Sequence, residues 1–474
     1  MKKLHFVNGK WSGQHLETIN VYNPATQEVT GEVPKGGREE AANAIKAAHL
    51  VFPEWRGKTA YERAAYMQKL YLLMLEHKEE LAHIMTTEMG KPIAEARGEV
   101  EYAASFLDWF AAEAKRMYGK TIPAHVPNKR LQVWKQPVGV VAAITPWNFP
   151  LAMLTRKMGP ALAAGCPIVM KPSGETPLSA IRLMELCEEA EFPAGVVNLI
   201  TGSSSAIGAE IMANEKVRKI TFTGSTEVGK TLMRQGADQI KRLSLELGGH
   251  APIVVLDDAD VEKAVQGAAV SKFRNGGQTC ICGNRIYVQS AIYETFISRF
   301  SEVVAKLKIG NGLEAGVDVG PLINQAGVEK VDKHVQDAVS RGASLMVGGE
   351  PVQDLGPCYY KPTVLKDVDH SMLIMKEETF GPVAPIQAFE TDEEAAALAN
   401  SSPYGLAAYV FTESHRRGIH LIENLEYGIV GWNDGAPSAA QAPFGGMKES
   451  GLGREGGEQG LEDFLETQYV SISV

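Results

Sequence analysis

From Pro137 onward the chain alternates short apolar runs with helical patterns, and this rhythm limits the possible folds more than any other feature of the sequence. Val138–Ile144 is a continuous apolar run, short and without polar alternation, as expected of a strand covered on both faces. Leu151–Ala164 reads as a helix, Pro167–Met170 as a strand, Pro177–Ala190 as a helix, Val196–Ile200 as a strand, Ser205–Ala213 as a helix and Lys219–Thr223 as a strand. Such alternation predicts a parallel sheet with helices on both faces, and a ligand site beyond the carboxyl ends of its strands. A second α/β series follows: Ile253–Leu256 as strand, Val261–Phe273 as helix, Asn284–Val288 as strand, Ile292–Leu307 as helix, and further alternation from Pro362. Ahead of both, Arg38–Phe52, Ala60–Met89 and Ile93–Met117 carry apolar residues at helical spacing. Tyr469–Val474 alternates apolar and polar residues and predicts a strand, whose bare edge would be paired in an oligomer.

Charge and cysteine usage exclude several classes. The net charge of −10 favours neither nucleic acid nor an anionic membrane, so an anionic substrate would need a local cluster of Arg or Lys. The five cysteines, Cys166, Cys187, Cys280, Cys282 and Cys358, have no disulfide-framework spacing and point to a reducing compartment. No Cys or His pair has zinc spacing, so no metal is expected. The N-terminal Met1–Trp11 segment lacks the apolar core of a secretory signal, and no apolar stretch reaches membrane-spanning length. A cytoplasmic protein is expected, and the Asn400-Ser401-Ser402 sequon is then coincidental.

Five short stretches carry chemistry. Cys280 follows Gly276-Gly277-Gln278-Thr279, a turn in which backbone N–H groups can approach a ligand and a thiolate could attack a carbonyl; a buried cysteine beside a glycine turn is the alternative. Glu246 ends an apolar run before Gly248-Gly249, where burial would raise its pKa into the range of a general base; a surface carboxylate on an edge strand is the alternative. Asn148 lies in Thr145-Pro146-Trp147-Asn148-Phe149-Pro150, where the chain leaves a strand and a side-chain amide could donate to an oxyanion or hold a turn. Lys171 ends a buried strand and could reach a ribose hydroxyl or a phosphate; a solvated lysine at a strand end is the alternative. Thr223-Gly224-Ser225 opens a helix whose N-terminus would favour a pyrophosphate, or serves simply as a cap.

Together these stretches resemble the aldehyde dehydrogenase superfamily. The matching motifs are Pro146-Trp147-Asn148-Phe149-Pro150, Lys171-Pro172, Phe222-Thr223-Gly224-Ser225, Glu246-Leu247-Gly248-Gly249, Gly277-Gln278-Thr279-Cys280, Glu378-Thr379-Phe380-Gly381-Pro382 and Pro443-Phe444-Gly445-Gly446-Met447-Lys448, in family order over nearly the whole chain. The resemblance implies an α/β fold with a Rossmann-type cofactor domain (1–120 and 141–247), an α/β catalytic domain (248–440) and a small β oligomerisation element (121–140 and 441–474). It implies Cys280 as nucleophile, Asn148 and the Cys280 N–H as oxyanion donors, Glu246 as the base that activates water, and Lys157 near the reaction centre. Thr145, Pro146, Trp147, Lys171, Ser173, Gly174, Gly224, Ser225, Glu378 and Phe380 would line an NADP or NAD site. The segments Tyr118–Pro137 and Glu462–Val474 correspond to the family's oligomerisation elements, so a homodimer or homotetramer is implied.

The chain looks most similar to the succinate-semialdehyde branch, through Thr145–Lys157 and Ser271–Asn275. The resemblance then implies that Arg156, Arg274 and Ser438 hold a distal carboxylate, with Phe444 as an apolar wall; a planar guanidinium suits that task. Structural ion pairing of both arginines is the alternative. Some members of the branch form a reversible disulfide at positions matching Cys280 and Cys282, which would require the loop to bend. NAD-preferring relatives carry a Glu three residues after the lysine; Gly174 stands there, which permits NADP, while Glu175 next to it opposes a 2′-phosphate. Competing readings are a dehydrogenase for glutarate semialdehyde or an uncharged aldehyde, a coenzyme-A-acylating enzyme (which would usually lack Glu246), and a non-catalytic protein on the same fold.

Overall fold

The computed structural model describes residues 4–474. Its largest sheet has eight strands in the order Lys10–Ser12, His5–Val7, Val197–Leu199, Ile168–Lys171, Val140–Ile144, Val217–Thr223, Arg242–Glu246 and Gly451–Leu452. The five strands from Val197–Leu199 to Arg242–Glu246 run parallel, and the edge strands are antiparallel. Counted along the chain, the parallel strands lie in the order 3-2-1-4-5, the doubly wound arrangement whose switch point falls between the first and fourth. That places the ends of Val140–Ile144 and Val217–Thr223 at a ready-made crevice.

A second sheet has seven strands, ordered Ser344–Val347, Thr363–Lys366, Val383–Phe389, Gly283–Gln289, Ala251–Val255, Ala407–Phe411 and Ile429–Trp432, all parallel except the first. The chain passes from one sheet to the other through Leu247–His250. A third sheet pairs Leu465–Ser473 with Lys129–Pro137 along its full length, and Lys120–Ile122 closes its other side. The predicted strand at Tyr469–Val474 is thus paired within its own chain. The rest of 441–474 is not confined to that sheet: Gly451–Leu452 extends the eight-stranded sheet, and the helix Gly457–Glu462 packs on Ala152–Ala164.

Four short strands at the N-terminus, His5–Val7, Lys10–Ser12, Thr18–Tyr22 and Val29–Pro34, are additional to the helices expected there. The predicted helix Ala60–Met89 is two helices, Ala60–Glu76 and Lys78–Met89, parted at His77. The helix Ala152–Ala164 positions the site. All 13 of its residues are buried, and Met153, Leu154, Met158 and Leu162 each contribute about 1.5–3 kcal/mol by their burial. Its Arg156 and Lys157 are buried as well, and charged groups in that position require partners.

Candidate active site

At the switch point, Pro146, Trp147, Asn148, Gly224, Ser225, Cys280, Glu378 and Phe380 line one open cavity of about 410 Å³. Trp147 and Phe380 form its aromatic edge, their rings edge to face at 5.5 Å. Phe380 holds a left-handed backbone at φ 55, an expensive conformation for an aromatic residue and one typical of ligand clamps. Ser225 caps the helix Thr226–Gly236, whose free N–H groups favour an anion. Gly224 is required there because a Cβ would lie 2.4 Å from the Phe222 ring. Glu378 accepts from the Gly249 N–H at 3.1 Å, and burial pushes its carboxyl up to about 7. This combination of an anion-seeking helix end, a buried carboxylate and two aromatic faces fits a nicotinamide dinucleotide.

Cys280 follows a turn in which Asn275, Gly276 and Gly277 all have positive φ. A Cβ on Gly277 would lie 2.2 Å from the Gly381 carbonyl, and one on Gly249 only 2.1 Å from the Cys280 carbonyl. These two glycines let the thiol loop nest between the strand that ends in Glu246 and the Glu378–Phe380 segment. Burial pushes the Cys280 thiol up to about 12; the charges of Arg156 and Arg274 pull it down, and Glu246 and Glu378 add to the rise. The surroundings thus favour the thiol over the thiolate. Asn148 donates through Nδ2 to the Gln278 carbonyl at 3.0 Å, its second amide hydrogen has no partner among the described residues, and the residue lines the same cavity as Cys280.

Behind the thiol lies a charged cluster. Glu246 is buried at the end of Arg242–Glu246, and one of its oxygens has no hydrogen-bond partner among the described residues. Burial and then the charge of Glu455 hold its carboxyl well above the usual range. Lys157 donates to Thr223 Oγ1 at 2.5 Å and to Glu455. Burial works to raise the Glu455 carboxyl, but Lys157 and Arg156 outweigh it and hold this acid ionised. A Cβ on Gly445 would lie 2.9 Å from Glu246 Oε1, which explains a glycine at that place. Glu455 was not singled out in the sequence, although Gly451-Leu452-Gly453-Arg454-Glu455-Gly456-Gly457 sets one acid among glycines much as at Glu246.

A second, narrower cavity meets the first at Cys280, Met153 lining both, and is lined by Arg156, Arg274, Ser438 and Phe444 with Tyr102 and Phe149. Arg156 lies 2.9 Å from Glu455 in an ion pair and stacks 3.9 Å over the Phe444 ring, yet its Nη2 has no hydrogen-bond partner among the described residues. Arg274 makes no ion pair among the described residues and lies 5.5 Å over the Phe149 ring. Ser438 Oγ is also buried and unpartnered. Buried donors left free in one slot point to an anionic group arriving from outside.

Thr145, Lys171, Ser173 and Gly174 do not line either cavity. They lie beside the open one, at the adjoining strand ends: the Thr145 N–H donates to the Lys171 carbonyl at 3.2 Å, and Lys171 Nζ donates to Ser204 at 2.6 Å. Burial brings the Lys171 ammonium down to about 8. Gly174 is exposed, with open space where a side chain would stand. All five cysteines are free; Cys282 is buried and its thiol faces the Lys272 carbonyl at 3.4 Å, while its N–H closes a turn onto Thr279 at 3.1 Å. No helix among the described residues is long and apolar enough to cross a membrane.

The model of the aldehyde dehydrogenase family matches residues 11–470. The chain is 53% identical over 470 residues to a glutarate-semialdehyde dehydrogenase of Pseudomonas putida, covering 99% of this chain and 97% of the relative. It is 52% identical over 469 residues to an NADP+-dependent succinate-semialdehyde dehydrogenase of Escherichia coli, covering 99% and 97%. Among solved structures, a succinate-semialdehyde dehydrogenase from Burkholderia pseudomallei superimposes with a TM-score of 0.98 at 50% identity, covering 99% of this chain and 98% of that one.

Proposed function

The chain belongs to the aldehyde dehydrogenase family and is an NAD(P)+-dependent enzyme of that chemistry; on that premise we propose that it oxidises succinate semialdehyde to succinate. The observation that carries the substrate is the slot beside Cys280, where, among the described residues, Arg156 Nη2 and Ser438 Oγ are buried without partners and half-buried Arg274 makes no ion pair, so that the three can receive a distal carboxylate. A charged hydrogen bond of this kind contributes about 1.5–3 kcal/mol. Glutarate semialdehyde, one methylene longer, is the second reading, favoured by the identity to the Pseudomonas putida enzyme.

Each residue then has a role. Cys280 gives its proton to solvent in the open cavity and attacks the aldehyde carbon as the thiolate. The free amide hydrogen of Asn148 and the Cys280 N–H stabilise the oxyanion of the thiohemiacetal. Trp147, Gly224, Ser225, Glu378 and Phe380 hold the dinucleotide, with Pro146 and Thr145 behind them and Lys171 and Ser173 toward the adenosine end. Bound there, NAD(P)+ supplies the hydride acceptor. Glu246, whose carboxyl is held well above the usual range by burial and by the charge of Glu455, takes as carboxylate the proton of the water that cleaves the thioester. Ionised Glu455, held by Lys157 and Arg156, adds its charge to the burial that makes the Glu246 carboxylate a stronger base. The absence of an acid at Gly174 favours NADP+. The free cysteines support a cytoplasmic setting. Exposed Trp134, Tyr469 and Ile472 on the three-stranded sheet support a dimer or tetramer. The bend at Thr279–Cys282 supports a reversible Cys280–Cys282 disulfide, which thiol counting after mild peroxide checks.

Initial rates with succinate semialdehyde, glutarate semialdehyde and propanal, each with NADP+ and NAD+, test the assignment. A kcat/KM advantage of about a hundredfold for succinate semialdehyde over propanal is expected, corresponding to about 2.7 kcal/mol. Equal rates with all three would remove the carboxylate role of the two arginines.

A further inference from the structure

The helix Ile93–Glu113 and the turn before it lie far from the thiol in sequence, yet they bring three charged side chains to the backbone around it. Lys91 Nζ donates to the Asn148 carbonyl at 2.8 Å, and Asn275 Nδ2 donates to the same oxygen at 3.0 Å. Glu95 accepts from the Asn275 N–H at 2.8 Å. Glu99 pairs with Lys91 and accepts from the Leu151 and Ala152 N–H groups at 3.0 and 3.2 Å, capping the helix that carries Arg156 and Lys157. Lys91 and Glu99 are each only 1% exposed. The Lys91 backbone is itself clamped, since a Cβ on Gly312 would lie 2.4 Å from its carbonyl oxygen.

A buried ion pair is poor evidence for stability, because apolar residues of like volume often serve as well; a registry role accounts for one better. Two walls must be registered at this place. Asn148 leaves the eight-stranded sheet, and Gln278 and Cys280 belong to the loop that enters the seven-stranded one. We propose that Lys91, supported by Glu99 and Glu95, is a positioning residue for the oxyanion pocket, holding the Asn148 peptide against the Asn275–Gln278 turn so that the Asn148 amide stays aimed at the carbonyl bound to Cys280. The proposal rests on the reading of Asn148 as an oxyanion donor. Lys91 touches neither substrate nor sulfur in this scheme and acts through Asn148.

The test is a cycle on the full-length enzyme with succinate semialdehyde and NADP+: wild type, Asn148→Ala, the charge-neutral pair Lys91→Met/Glu99→Gln, and the triple variant. The paired variant is expected to lower kcat by about tenfold to a hundredfold, the size of effect that a small misplacement produces. Its KM for NADP+ and the rate of Cys280 alkylation by iodoacetamide, a reaction without an oxyanion, should stay within about twofold. In the Asn148→Ala background the loss should vanish. An equal loss in that background, a parallel fall in alkylation, or no loss at all would overturn the proposal. If Asn148→Ala alone left kcat intact, the oxyanion reading would fail first. Should the paired variant not fold, Glu95→Gln tests the same linkage on a part-exposed residue: a kcat loss of about threefold to tenfold with unchanged alkylation supports it, and an unchanged kcat overturns it.

Discussion

The carboxylates on the N-terminal helices and those around Cys280 are equally buried and differently furnished. Glu88 accepts from the Leu178 and Ser179 N–H groups, and Glu99 from Leu151, Ala152 and Lys91. Among the described residues, Glu246 has an oxygen with no donor, and Arg156 Nη2 and Ser438 Oγ nearby lack partners too. A folded chain rarely leaves buried polar atoms unpaired, since each costs about 1–3 kcal/mol. The first region uses its charges to hold backbone; the second keeps its valences open for reactants.

That contrast can be broken by experiment. Glu246→Gln should give the largest effect, lowering steady-state turnover by about 10²–10⁴-fold while a first-turnover burst of NAD(P)H survives. Stopped-flow absorbance separates the two phases, and a lost burst would move Glu246 from hydrolysis to thiol activation. Arg274→Ala comes next. It should cut kcat/KM for succinate semialdehyde by about tenfold to a hundredfold and leave propanal nearly unchanged. Steady-state assays with both aldehydes decide whether the open donors are a carboxylate seat.

Glu88→Gln should leave kinetics alone and change the pH dependence of stability. Burial, opposed by the Ser179 and Leu178 hydrogen bonds, raises its folded pKa to about 7. The folded state thus binds more protons than the unfolded chain between the ordinary carboxylate range and about pH 7, and stability from this group is lost as pH rises through that window. Urea titrations at pH 5 and 8 should show wild type losing on the order of 3 kcal/mol more than the variant. Equal slopes would mean that Glu88 is ionised throughout. The smallest effect is expected from Gly174→Glu, at an exposed place with room for a side chain. It should shift the NADP+/NAD+ preference toward NAD+ by about tenfold through like-charge repulsion, measured as the ratio of kcat/KM values.

The sequence made the parallel strands legible because buried strands are written as unbroken apolar runs, and Val261–Phe273 forms a helix over the range its spacing predicts. The edge strands were not, since Lys10-Trp11-Ser12 is short and mixed, and its pairing with His5–Val7 is a tertiary fact. Nothing in Glu76-His77-Lys78 announces the break between two helices, as all three residues are compatible with a helix interior. At the site, residues in glycine-flanked motifs stood out, and most of them gather at Cys280. Lys91 did not, because Gly90-Lys91-Pro92 reads as an ordinary helix end, and its meaning lies in an oxygen 57 residues away.

The crossing at Leu247–His250 has a mechanical consequence. The strand behind it ends in Glu246, the strand ahead begins at Ala251, and Gly249 rides against the Cys280 carbonyl with no room for a methyl group. The chain crosses back between Trp432 and Gly451, so two stretches of backbone tie the sheets, and one of them joins Glu246 to the peptide packed on Cys280. A shift of one sheet on the other would be felt first at the spacing between Glu246 and Cys280, because a single methyl group of slack is missing there.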